Sequence, residues 1–90
     1  MAISLCIPRI GDNIDKKFIQ GVFDKLSLGE IANIRIVSND TSRKAFIYFD
    51  IWHNTSVLDK LHSESHINII YSFPHFWRCS LKKNLFHSKN

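Results

Sequence analysis

A chain of 90 residues holds one domain, and a hydrophobic content of 44% against 22% charged residues excludes intrinsic disorder. Twelve Lys and Arg against eight Asp and Glu give a net charge of +4, which suits a phosphate-bearing or acidic partner. Two cysteines at opposite ends of the chain exclude a disulfide scaffold and a cysteine-rich metal cluster.

Ile3, Leu5 and Ile7 alternate with Ser4 and Cys6, which predicts a first strand, closed by Pro8. Gly11, Asp12 and Asn13 predict a turn. Asp15 is placed as the N-cap of a helix, with Ile14 and Ile19 as a hydrophobic staple. Phe18, Ile19, Val22, Phe23 and Leu26 then fall on one helical face. Gly21, in mid-helix, predicts a close helix–sheet contact. The helix should stop near Ser27, with Gly29 taking positive φ.

Ile34 and Ile36 mark a second strand, Ser38 to Ser42 a polar turn, and Lys44 to Phe49 a third strand rich in aromatic residues. A second helix should follow Trp52, capped by Asn54 or Thr55, with Val57, Leu58 and Leu61 facing inward. Ile67, Ile69 and Tyr71 suggest a short strand or hairpin arm. Phe73-Pro74 turns the chain, and Trp77, Cys79 and Leu81 alternate along the last strand. After Glu64 there is no acidic side chain, whereas Arg78, Lys82, Lys83 and Lys89 follow. The domain is expected over residues 1–83, with a basic tail over 84–90. No basic-then-apolar leader opens the chain and no apolar run approaches 18 residues, so an intracellular protein with no membrane partner is expected.

The order strand, helix, strand, strand, helix, strand predicts an α+β fold of ferredoxin-like βαββαβ type, with four antiparallel strands and both helices on one face. It resembles the RNA recognition motif (RRM). Within Ser42-Arg43-Lys44-Ala45-Phe46-Ile47-Tyr48-Phe49, the last five positions fit the octamer of that family, while Lys44 stands where an aromatic is usual. The family's hexamer aligns with Leu5-Cys6-Ile7-Pro8-Arg9-Ile10, with Cys6 at the aromatic position. Gly29-Glu30-Ile31 is similar to the opening of the family's second strand. Phe49-Asp50-Ile51-Trp52 and Phe73-Pro74-His75-Phe76-Trp77 look similar to small RRM-like proteins of large DNA viruses. The resemblance implies a strand order of 4-1-3-2 and a ligand-binding sheet face.

Alternation puts Ile3, Leu5, Ile7, Ile34, Ile36, Ala45, Ile47, Phe49, Trp77, Cys79 and Leu81 against the helices. It turns Ser4, Cys6, Asn33, Arg35, Lys44, Phe46, Tyr48, Arg78, Ser80 and Lys82 outward. This outer set joins two rings to four cations with no acid, a mixture that suits single-stranded nucleic acid. Phe46 matches a stacking position of the family. Tyr48 is a second candidate ring, and Arg35, Lys44, Arg78 and Lys82 are candidate phosphate contacts, though such a cation alone is more often simply a solvated charge. Leu85 and Phe86 could instead lie across the sheet and cover Phe46.

His62 and His66 have helical spacing, but Ser63 to Ser65 read as the end of the helix and zinc wants more ligands. Surface histidines, no metal, no cofactor and no enzyme are therefore expected. Trp52 and Trp77 read first as packing residues, and Phe73, Phe76 and Trp77 as an apolar cluster that would contact protein if exposed. Two functions follow. One is a module for single-stranded RNA or another nucleic acid. The other is a protein-interaction or homodimerising module on a fold that has lost RNA binding.

Overall fold

A computed structural model describes residues 3–72 and 74–82. Seven elements run along it: β1 (Ile3–Ile7), α1 (Lys16–Leu26), β2 (Gly29–Ser38), β3 (Arg43–Trp52), α2 (Thr55–Glu64), β4 (Ile67–Ser72) and β5 (His75–Leu81). The tail expected over 84–90, with Leu85 and Phe86, lies outside the described residues. No helix among the described residues is long and apolar enough to cross a membrane.

Both helices start where their caps direct. An Asp15 carboxylate oxygen accepts from the Phe18 backbone N at 2.8 Å, and the Asn54 side-chain carbonyl accepts from Val57 N at 2.9 Å. Both end on a serine in the left-handed region, Ser27 at φ 53° and Ser65 at φ 73°. Gly29 has no positive φ, which corrects the expectation for that residue. Its role is close approach. A Cβ there would collide with the Ile51 carbonyl oxygen, because β2 opens directly against the end of β3. Gly21 is likewise corrected. It faces water, and nothing lies within 4 Å of where its Cβ would be.

All strand pairings are antiparallel, and the sheet has five strands in the order β2-β3-β1-β5-β4. The expected sheet of four strands in the order 4-1-3-2 is thus corrected. The segment from Ile67 is a full edge strand, and the reason is physical. β1 is five residues long and pairs with β5 only at Leu81 and Ser80. The first half of β5 gets its ladder from β4 instead, with Ile69 opposite Trp77 and Ile67 opposite Cys79. Without β4, that half of β5 would bury Trp77 while leaving its own amides unpaired.

The core lies between the sheet and the two helices, which bury Ile19 and Phe23 from α1 and Leu58 and Leu61 from α2 in one cluster. Sheet residues Leu5, Ile7, Ile34, Ala45, Ile47, Phe49, Trp77 and Cys79 meet them there, as alternation predicts. An aromatic string crosses this layer. Tyr71 stacks on Trp77 at 4.4 Å, Trp77 on Phe23 at 6.4 Å, and Phe23 meets Phe49 edge-on at 6.1 Å. Such pairs add about 0.5–1.5 kcal/mol beyond their buried area.

The two glycines should therefore respond oppositely. Gly21→Ala should stabilise the domain by about 0.5–1 kcal/mol in urea denaturation, since nothing obstructs the methyl group and Ala favours the helix. Gly29→Ala should destabilise it by more than 1 kcal/mol, roughly, because backbone must move to admit the Cβ. Equal effects of the two would contradict the close approach at Gly29.

Candidate nucleic-acid interface

The strand registers turn the outer face into a grid. One row runs Arg35, Phe46, Cys6, Ser80 across β2, β3, β1 and β5. The next runs Asn33, Tyr48, Ser4, with Lys82 at its end, where Lys82 N donates to Ser4 O at 2.8 Å. Lys44 lies beyond Phe46 on β3, opposite Val37, and Arg78 lies beyond Ser80 on β5, opposite Asn68. All six candidate residues therefore share one face.

Two devices hold β3 in this register. The Asn39 side-chain carbonyl accepts from Thr41 N at 3.0 Å and Ser42 N at 2.9 Å, closing the β2–β3 turn. At the other neighbour, Ile10 N donates to Arg43 O at 2.9 Å, and the Arg43 guanidinium donates to Gly11 O.

Phe46 and Tyr48 are half-buried, and Lys82 reaches both. Its ammonium lies 5.2 Å from the Phe46 ring centre and 5.1 Å from that of Tyr48, and donates to Tyr48 Oη at 3.2 Å. A single cation over two rings is a placement that the grid makes intelligible, since Lys82 ends the row of Tyr48 and sits diagonal to Phe46. Sequence reasoning assigned Lys82 only to phosphate. Arg35, Arg78 and Lys82 are exposed, and Lys44 is half-buried. The ion pair among the described residues joins His53 to Glu30 at 3.8 Å, so none of these four cations has a carboxylate partner there. The face is not wholly free of acid, however. Exposed Asp50 follows at the far end, past Tyr48, where the register of β3 against β2 shifts and Asp50 has no partner on β2.

The expected apolar cluster divides. Phe73 lies outside the described residues, Trp77 is buried in the core, and Phe76 is 51% exposed on the outer face, opposite Ile70 at 56%. The histidine pair divides too. His62 lies in the last turn of α2, the left-handed Ser65 ends that helix, and His66 leads into β4, so the two share no helical face.

Both cysteines are free, on opposite faces of neighbouring strands. Burial pushes the Cys79 thiol from an ordinary 9.0 up to about 12, with Cys6 adding to the rise. Partial burial also raises Cys6, opposed by the charges of Lys44 and Lys82. No family model, curated protein or solved structure matches this chain.

In native protein at pH 8, iodoacetamide should therefore alkylate Cys6 more slowly than a free thiol and leave Cys79 unmodified until the domain is unfolded in urea. The protonated Cys79 is favoured by the fold, so its contribution to stability is complete below pH 9 and is lost as pH rises from 9 towards 12. Rapid labelling of Cys79 in folded protein, read by peptide mass mapping, would contradict its burial.

Proposed function

We propose that this domain binds single-stranded nucleic acid, RNA foremost, on the outer face of its sheet, in the manner of the RNA recognition motif it resembles. The observation that carries the reading is the pair of neighbouring rings, Phe46 and Tyr48, set among four cations without carboxylate partners among the described residues and shared by the Lys82 ammonium. Rings of this kind stack on bases, and cations meet phosphates.

Magnitudes favour a ligand over the contacts already present. A cation over an exposed ring is worth about 0.5–1 kcal/mol. A stacked base is worth about 1–3 kcal/mol. A base can therefore displace Lys82 from the rings, and the freed ammonium stays within reach of the phosphate that follows. Arg35 and Lys44 flank Phe46 on β2 and β3, and Arg78 flanks it on the β5 side, so the strand is met by charge on either hand. The proposed chemistry is binding alone, with no cofactor and no reaction.

A second reading, protein contact or self-association, draws on the exposed pair Ile70 and Phe76 beside an edge strand. Two side chains supply far less than the roughly 800 Å² per partner of a stable interface. The nucleic-acid reading therefore leads.

The test is titration of the protein against a labelled pool of random single-stranded RNA at several salt concentrations. Affinity should fall with salt by about 0.7 logarithmic units per phosphate neutralised. Replacing Arg35, Lys44, Arg78 or Lys82 by Gln should lower that slope by up to about one unit. Phe46→Ala should cost about 1–3 kcal/mol of binding at every salt concentration with the slope unchanged. It should alter stability by less than about 1 kcal/mol, as for a side chain outside the core. Absence of RNA binding by the unmodified chain would remove the reading, and a salt-independent affinity would remove the role of the cations.

A further inference from the structure

β1 and β5 part company early. Their pairing comprises Leu5 with Leu81 and Cys6 with Ser80. Past Ile7 the chain reaches Pro8, which has no N–H to continue the ladder. The next backbone bond, Ile10 N to Arg43 O, holds the chain to β3 instead. The loop from Pro8 to Gly11 thus follows β3 away from β5, and a groove of about 590 Å³ opens between that loop and the first half of β5. The volume falls in the range of small-ligand sites.

The chemistry of the groove is specific. Arg9 and Arg78 line it, both exposed, and none of the described residues lining it is acidic. The ring of Phe76 lines it as well and is half exposed. Backbone polarity points the same way. In an antiparallel strand, alternate residues present both N–H and C=O to the same neighbour. Lys82 and Ser80 present theirs to β1, so Arg78 and Phe76 present theirs into the gap, where Pro8 has no donor to return. A ring for a base, two guanidinium groups for phosphate, and backbone groups for base edges are thereby brought together.

We infer that this groove is a second nucleotide subsite, in which Phe76 stacks a base and Arg9 and Arg78 hold its phosphates. The inference rests on the nucleic-acid reading of the sheet face and extends it to a site beyond the six candidate residues of that face, of which it shares only Arg78. Phe76 points to the same face as Phe46, two strands across and four residues along, roughly 17 Å away by strand spacing and rise. Eight nucleotides, even stacked at about 3.4 Å each, span that distance. Tyr71 and Trp77 also line the groove, but Trp77 is buried in the core. Beside two guanidinium groups with no carboxylate partner among the described residues, it is the half-exposed Phe76 ring that offers itself to a ligand, which favours an anionic, ring-bearing occupant over a protein.

The experiment uses the full chain and a fluorescein-labelled uridine octanucleotide, followed by anisotropy across a salt series. Phe76→Ala should weaken binding by about 5- to 150-fold at every salt concentration. Phe76→Tyr should retain most of the affinity. Arg9→Gln should lower the salt slope by up to about one unit. Suppose Phe76→Ala leaves the affinity unchanged while Phe46→Ala weakens it. The subsite is then refuted and the sheet-face reading stands. If the unmodified chain does not bind the octamer, both fail together. If Phe76→Ala instead alters the sedimentation coefficient of the free protein and not its RNA affinity, the groove is a protein contact and the inference is overturned. Should Phe76→Ala lower the melting temperature, Arg9→Gln decides alone, since Arg9 lies on the opposite wall of the groove. An unchanged salt slope in that variant would refute the subsite.

Discussion

Cys6 lies opposite Phe46 and Leu5 opposite Ile47, and the rest of the molecule depends on that register of β3 against β1. Side chains alternate strictly along a strand, so a slip of one residue would bury Lys44, Phe46 and Tyr48 and expose Ala45, Ile47 and Phe49. The slip is opposed at both ends. Asn39 fixes the turn into β3, and the bond from Ile10 to Arg43 fixes its other neighbour. Burial opposes it further, at about 1.5–3 kcal/mol for each large apolar side chain brought out of water. The basic, ring-bearing face is thus the obligatory reverse of the core, and its composition is free to vary only because the buried side alone carries the fold.

That reverse face carries an electrostatic tension. Arg35, Lys44, Arg78 and Lys82 repel one another, and no carboxylate among the described residues pairs with them. Two half-exposed rings beside them are poorly solvated. The placement of Lys82 over both relieves each problem slightly, through the negative faces of the rings and a hydrogen bond to Tyr48 Oη. The relief is small by construction, since every contact involved is exposed and exchangeable. Like charges gathered at such low internal compensation favour an anionic partner over long distances and fall off with salt.

How much of this is legible in the sequence depends on whether the cause is local. Alternation and capping are local, so the caps Asp15 and Asn54, the buried positions of the strands and the shared face of Phe46, Tyr48 and the four cations can be read from the chain, whereas Phe18 and Leu26 on the apolar face of α1 stay exposed. Gly29 and Gly21 could not be assigned in this way. Whether a glycine is needed depends on what approaches it, and the Ile51 carbonyl beside Gly29 comes from a strand more than 20 residues away. The reach of Lys82 across β1 to two rings on β3 is equally non-local. Asp50 and Ile51 are both exposed because the register of β3 against β2 shifts between Phe49 and Ile51, an irregularity that alternation in the sequence does not announce.

The place of the fifth strand at the sheet edge and the groove have one cause, although the alternation of Ile67, Ile69 and Tyr71 already suggests a short strand. β1 spans five residues and ends at Ile7, while β5 spans seven and runs beyond it. The overhanging half of β5 must find hydrogen bonds somewhere, because buried Trp77 holds it in the core and unpaired backbone there is costly. β4 supplies them on one side only. The other side faces the space that β1 vacated, with Pro8 withholding a donor and the loop drawn off towards Arg43. A sheet edge normally invites another chain, and proteins blunt such edges with charge or irregular backbone. Here the opening is internal to the sheet and flanked by Arg9 and Arg78. What suits such an opening is a small, flat, negatively charged group, and a nucleotide meets each of those conditions.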